Sequence, residues 1–258
     1  MTDIDVTEIN IPYPEAADLH LKVSVGACRL KVTPGEGEAW VTGTYRHPSG
    51  VLPSRIVKDG GTVRITQQRN VADIGGLFSG TPRYELALGK ARPYTLTLEV
   101  GASEGSFDLG SLPINHLVIR QGAGKVDFDF SAPNPQAMSL LDIDAGAVGL
   151  EMKNLANANF AEMRVNGGAA AYRFDFGGAL QCDARVRITT GVSSVEIRVP
   201  ASTAVKITSQ FVLGGLDIGD GFTKKEGAFW TEAALAGRTP VLSIHAHISV
   251  GSLIIRTT

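Results

Sequence analysis

The chain has 258 residues, a formal net charge of −2, 43% hydrophobic and 19% charged residues, and 30 glycines. So much apolar matter excludes a globally disordered chain and is enough for one elongated domain or two compact ones. The near-neutral balance, without a basic block anywhere, excludes the electrostatic footprint of a nucleic-acid binder.

The first residues, MTDIDVTEINIPYPEAADLH, carry acids and prolines and no apolar central run, so they do not read as a secretory signal. No stretch reaches the roughly 18 apolar residues of a membrane-spanning helix, and a cytoplasmic location is the default expectation. Alternating apolar residues predict strands over 2–10, 19–32, 39–45, 61–67 and 84–88. Pro34-Gly35, His47-Pro48-Ser49-Gly50 and Asp59-Gly60-Gly61 predict turns, and the polar, glycine-containing stretch 70–82 reads as a mobile loop. Residues 1–95 are expected to form a strand-rich region that caps the remainder of the chain.

Residues 96–258 carry a repeat: apolar-x-apolar, a glycine- or alanine-rich corner, then apolar-x-apolar again. The copies pair Leu98-Val100 with Phe107-Leu109, Leu117-Ile119 with Val126-Phe128, Leu141-Ile143 with Leu150-Met152, Met163-Val165 with Tyr172-Phe174, and Val186-Ile188 with Val195-Ile197. The step across each corner, from Ile119 to Val126 for example, is always 7 residues. Leu21-Val23 with Leu30-Val32 and Ile244-Ala246 with Leu253-Ile255 obey it too. Ile207-Ser209 with Leu216-Ile218 is a degenerate copy, because Ser209 takes an inward position. Successive copies from Phe107 to Leu216 lie 19, 24, 22, 23 and 21 residues apart, the length of one solenoid rung. The predicted class is therefore all-β: a single-stranded β-solenoid with an N-terminal β cap. The rival is an antiparallel meander, for which Asn166-Gly167 is the best hairpin signal, but most corners exceed the favoured two-residue loop.

The stretch 219–240 interrupts the repeat with Phe222, Lys224, Lys225, Phe229 and Trp230, which read as a plug on the end of the core or as an aromatic ligand pocket. Its only helix signal covers 230–236, bounded by Gly237 and Pro240.

Chemistry is thin. Cys28 and Cys182 lack a CxxC setting and read as small apolar side chains rather than a disulfide or zinc site. His245 and His247 alternate on one outward face and form a candidate metal pair without a third ligand nearby; two solvated histidines are the simpler reading. The outward position of each second strand holds Asp108, Asp127, Glu151, Arg173, Glu196 and Asp217. Asp127 and Glu151, with Phe229 and Trp230, are the candidate ligand-binding set for a carbohydrate; a solvated charged face is the simpler reading. Arg164, Arg187 and Lys206 lie outward on first strands, where they read as surface ion pairs rather than a polyanion groove. Ser103, Ser106, Ser193 and Ser194 sit in corners without a G-x-S-x-G setting, so no catalytic residue and no cofactor is expected. Ile254 is apolar at an outward position and is the candidate for self-association through a terminal edge. The expected partner is a protein, or a second copy, met through a strand face or that edge.

Two segments then carry a resemblance. Pro93 to Leu109, PYTLTLEVGASEGSFDL, resembles the N-terminal half of the bacterial toast-rack domains. Val192 to Gly221, VSSVEIRVPASTAVKITSQFVLGGLDIGDG, resembles the C-terminal domain of LiaF-like envelope-stress proteins and related adhesin-like domains, with the Val199-Pro200 step and Gly214 or Gly215 matching. The resemblance spans 5–258 and implies a β-solenoid, a non-enzymatic role and association with the bacterial cell envelope. Lacking a membrane helix, the chain departs from many of those envelope proteins.

Overall fold

The computed structural model describes residues 4–48, 54–67 and 81–258. Most of the expected loop at 70–82 and the Ser49-Gly50 end of the second turn lie outside the described residues. Seven short strands come first: β1 (Ile4–Ile11), β2 (His20–Val25), β3 (Cys28–Pro34), β4 (Val41–Pro48), β5 (Arg55–Asp59), β6 (Thr62–Thr66) and β7 (Arg83–Leu88). Next come β8 (Tyr94–Asp108), β9 (Ile114–Asp129), β10 (Met138–Lys153), the shorter β11 (Phe160–Gly167) and β12 (Ala170–Asp175), β13 (Ala184–Val199) and β14 (Ala204–Ile218). A hairpin of β15 (Phe222–Lys225) and β16 (Ala228–Thr231), the single turn α1 (Glu232–Leu235), and β17 (Val241–Thr257) complete the chain.

Pairing from coil to coil is parallel and in register, so the molecule is a β-solenoid and the meander falls away. Each long strand bends at its glycine corner into a first and a second arm, and irregular segments such as 130–137 and 154–159 close the third side. On the first arm Ile65, Val23, Leu98, Ile119, Ile143, Val165, Ile188, Ala246 and Ser209 form one inward column, each registered on the next. All but Ser209 are buried. Each aliphatic member contributes about 1.5–3 kcal/mol by leaving water, which no isolated rung could obtain.

The corners stack as tightly as the core. Gly26, Gly101, Gly122, Gly146, Gly168 and Gly191 lie one over another, and a Cβ on Gly122, Gly146 or Gly168 would meet the carbonyl oxygen of the glycine beneath it. Side chains are excluded there by close backbone approach. On the third side the backbone bonds thin out, Asn134 N–H to the Asn157 carbonyl (2.8 Å) being one that remains, and buried amides add to them. Asn134 Nδ2 donates to the carbonyls of Ile114 (2.8 Å) and Ala158 (3.2 Å), and Asn157 Nδ2 to that of Phe130 (2.9 Å). These bonds satisfy loop carbonyls that water cannot reach.

Three sequence expectations are corrected. The stack begins before residue 96: β2 and β3 already form a rung on β8, and β6 and β7 form one on them. Among the described residues β1, β4 and β5 add the antiparallel strands beyond and cap that end. The register of β8 is shifted by two from the expected copy, since Leu98 pairs with Ile119 and Gly105 with Val126. Gly105 takes an inward place because the Phe107 ring occupies the space its Cβ would need, and Phe107 stacks on Phe128 at 4.3 Å. Finally, β17 does not end the stack. It lies between β13 and β14, so Ile254 is flanked by Glu196 and Asp217 and is not on a terminal edge. The helix signal at 230–236 shrinks to α1, whose N-cap Thr231 accepts from Ala234 N–H.

Both cysteines are free; Cys28 is buried, and burial pushes its thiol up to about 12. A thiol reagent applied to the native protein at neutral pH is expected to modify Cys182 only, and both after unfolding, as mass spectrometry of the labelled peptides would read. For the corner ladder, Gly146→Ala is expected to cost about 1–3 kcal/mol in denaturant unfolding. Gly149→Ala, where a Cβ meets nothing nearer than Lys125 Cγ at 3.8 Å, should stay within about 0.5 kcal/mol.

Candidate functional site

The outer face of the second arm carries a registered line: Glu85, Lys31, Ser106, Asp127, Glu151, Arg173, Glu196, Ile254 and Asp217. Asp108 is not in it; it pairs with Asp129 one position on, as the β8 register requires. Asp127 and Glu151 are neighbours, and beyond them Arg173 separates Glu151 from Glu196 and Ile254 separates Glu196 from Asp217. Arg173 reaches Glu151 at 3.5 Å and Glu196 at 2.9 Å, and Arg256 binds Asp217 at 2.6 Å. A shallow groove of about 430 Å³ beside Asp127 holds Arg29, Lys31, Arg83 and Lys125 among the carboxylates of Glu85, Glu104 and Asp127, a set of mixed charge.

Phe229 and Trp230 belong to the other arm. In β16 they pair with Ile207 and Lys206, so Phe229 packs on the end of the core while Trp230 faces outward with Lys206 Nζ 4.8 Å from its ring centre. The structure therefore separates the aromatic pair from Asp127 and Glu151 by several rungs, and the four do not share a cleft. His245 and His247 do share the outer face of the first arm. Their ring partners are Thr208 (Nδ1 to Oγ1, 2.8 Å) and Gln210 (Nδ1 to Oε1, 3.5 Å). Among the described residues no group of three potential metal ligands gathers around them. Arg164 and Arg187 are registered neighbours on that face, and Lys206 lies in the adjacent column.

The surface that sequence reasoning placed wrongly is the end of the stack. The first arm of β14 is covered by β16 and α1, but its second arm, from Phe211 to Ile218, pairs with β17 on one side and with nothing on the other among the described residues. Leu216, registered on fully buried Leu253, is 37% exposed. At the adjoining corner Val192 (61% exposed), Val250 (38%) and Leu213 (68%) stack in register beside Val212 (76%). Those positions hold Ala102, Ala123 and Ala147 in earlier rungs. The signal for this end was legible: the degenerate rung, with Ser209 inward, is the last one.

Burial works against the Glu196 carboxylate, but hydrogen bonds from Arg173 (2.9 Å) and Arg198 (2.7 Å), with their charges, outweigh it and hold the group below the ordinary carboxylate range. A depressed folded-state pKa stabilises the fold above the unfolded value, and that contribution disappears as pH falls through the folded value. Glu196→Gln is therefore expected to lower stability by less than about 1 kcal/mol at neutral pH. In acid, below the carboxylate range, its denaturation curve should coincide with that of the parent.

The model for the N-terminal domain of toast_rack, DUF2154, matches residues 2–146, more than half of the chain. Its boundary falls inside β10, across which the rungs continue unbroken. A search of curated proteins finds no match. Among solved structures, a protein named for cell adhesion from Clostridium sporogenes ATCC 15579 is 16% identical, with all of both chains covered and a TM-score of 0.51. One named as an adhesin from Parabacteroides distasonis ATCC 8503 is 11% identical over 99% of this chain and 98% of its own, with a TM-score of 0.48. At such identities the likeness is one of fold.

Proposed function

This chain belongs to the toast-rack N-terminal domain family, and we propose that it works as a non-enzymatic, adhesin-like scaffold that associates with a second copy of itself. The observation that carries the reading is the open second arm of β14. Natural edge strands are guarded by charge, proline or a covering element. Here the guard stops half-way: between Phe211 and Ile218 the one charged side chain is Asp217, already bound to Arg256. An uncharged edge beside an apolar corner suits a two-fold contact, in which every group meets its own copy and a net charge would repel itself. The opposite end is less open to a head-to-tail contact, since β5 covers β6 while β4 and β1 cover β7. The adhesion names of the structural neighbours agree with a role in contact and with a place at the cell envelope. Among the described residues no helix is long and apolar enough to cross a membrane.

Sedimentation equilibrium tests this. The parent is expected to dimerise, and Val212→Lys with Leu213→Lys to weaken the dimer at least tenfold, about 1.4 kcal/mol, with an unchanged melting temperature at dilutions where both are monomeric. A parent that stays monomeric at all concentrations overturns the reading, and so does a dimer indifferent to the two lysines.

A further inference from the structure

The outer face of the first arm changes character along the stack. In its last three rungs the outward residues are Arg185, Arg187 and Thr189 on β13, Ser243, His245 and His247 on β17, and Lys206, Thr208 and Gln210 on β14. None is a carboxylate. Glu162, registered on Arg185 from the preceding rung, binds Arg164 at 2.9 Å and lies 3.7 Å from Arg187, and Asp183 accepts from Val241 N–H. Arg185 and Lys206 have no ion-pair partner among the described residues. Ser243 is registered between them, so the two cations flank its hydroxyl from opposite sides, their backbones two strand spacings or about 9.6 Å apart. In the neighbouring column Arg187, His245 and Thr208 stand in the same order. These six residues line a depression of about 250 Å³.

The local contacts hold the donors in place. Thr208 engages His245 Nδ1 at 2.8 Å, and the other ring nitrogen has no partner among the described residues. Lys206 rests on the Trp230 ring, whose Nε1 donates to the Lys225 carbonyl at 3.2 Å. Two guanidinium groups, an ammonium and a serine hydroxyl line this depression, and among the described residues the one carboxylate paired with any of them is Glu162, which Arg187 shares with Arg164. That is more donor capacity than one carboxylate of a ligand would use, and it matches an anion with several oxygens.

We propose that this depression binds a phosphate group, seated over Ser243 between Arg185 and Lys206 with Arg187 and His245 alongside. The site needs neither the open β14 edge nor a second copy, so it stands or falls apart from self-association. A phosphate could come from a small soluble ester or from a lipid headgroup, and the test separates the two. Isothermal titration with inorganic phosphate and with glycerol phosphate at low salt is run beside flotation with vesicles of phosphatidylglycerol and phosphatidylcholine. Saturable binding is expected with the soluble anions, weakening as salt rises. It should drop at least about tenfold in Arg185→Ser with Lys206→Ser, since each substitution removes a charge-assisted hydrogen bond to the anion. Arg173→Ser on the other arm should leave it unchanged. Flotation that requires phosphatidylglycerol and is lost in the double variant assigns the phosphate to a lipid. No saturable binding in either arm overturns the proposal, as does binding that survives the double substitution. Matching melting curves and circular dichroism show that both variants are folded.

Discussion

Rung-on-rung backbone pairing governs this molecule. A single coil leaves an apolar stripe facing nothing and two rows of unpaired amides and carbonyls, and both defects are cured only by an identical neighbour in register. Register then determines everything else. A slip of one residue would turn the column running from Ile65 to Ala246 out to solvent. It also decides why the corners at Gly122, Gly146 and Gly168 lack side chains: a Cβ there would press on the carbonyl oxygen of the glycine beneath. Where backbone bonds are sparser, on the third side, Asn134 and Asn157 supply further partners from their side chains.

Stacking also sorts the surface. Outward residues form columns, so charge varies along an arm rather than patch by patch. On the second arm acids and arginines interleave and largely consume one another; pairs this exposed contribute little to stability but keep the face polar. On the first arm the acids stop at Glu162 and the cations continue to Lys206. The two ends differ as well. Antiparallel strands close the first, while the last has its covering hairpin on one arm only. A near-neutral chain thus acquires a basic region and an apolar edge purely from the order in which its rungs are stacked.

That order marks the limit of what the sequence discloses. The inward columns were readable because aliphatic residues recur with a seven-residue step across glycine corners, and Ile119, Ile143, Val165 and Ile188 do lie one above another. The β8 register was misread because Phe107 looks like the first inward residue of its second arm, whereas Gly105 holds that place and Phe107 takes the next, on Phe128. The exchange of β17 and β14 was missed because chain order was taken for stacking order. Ser209 and the Gly214-Gly215 pair were visible signs of a rung that does not have neighbours on both sides. The Arg185–Ser243–Lys206 grouping was hidden for the same reason, since it exists only once β17 is inserted.

Cysteine cross-linking tests that insertion most directly. Ser194 and Ser252 are registered neighbours with their Oγ atoms 3.2 Å apart, whereas Gly215 lies beyond Ser252. In a Cys182→Ser background, Ser194→Cys with Ser252→Cys should close a disulfide readily under mild oxidation, because strands about 4.8 Å apart fall within disulfide reach. Ser194→Cys with Gly215→Cys should remain reduced at about twice that separation. Closure of the second pair and not the first would place β14 directly on β13 and contradict the account.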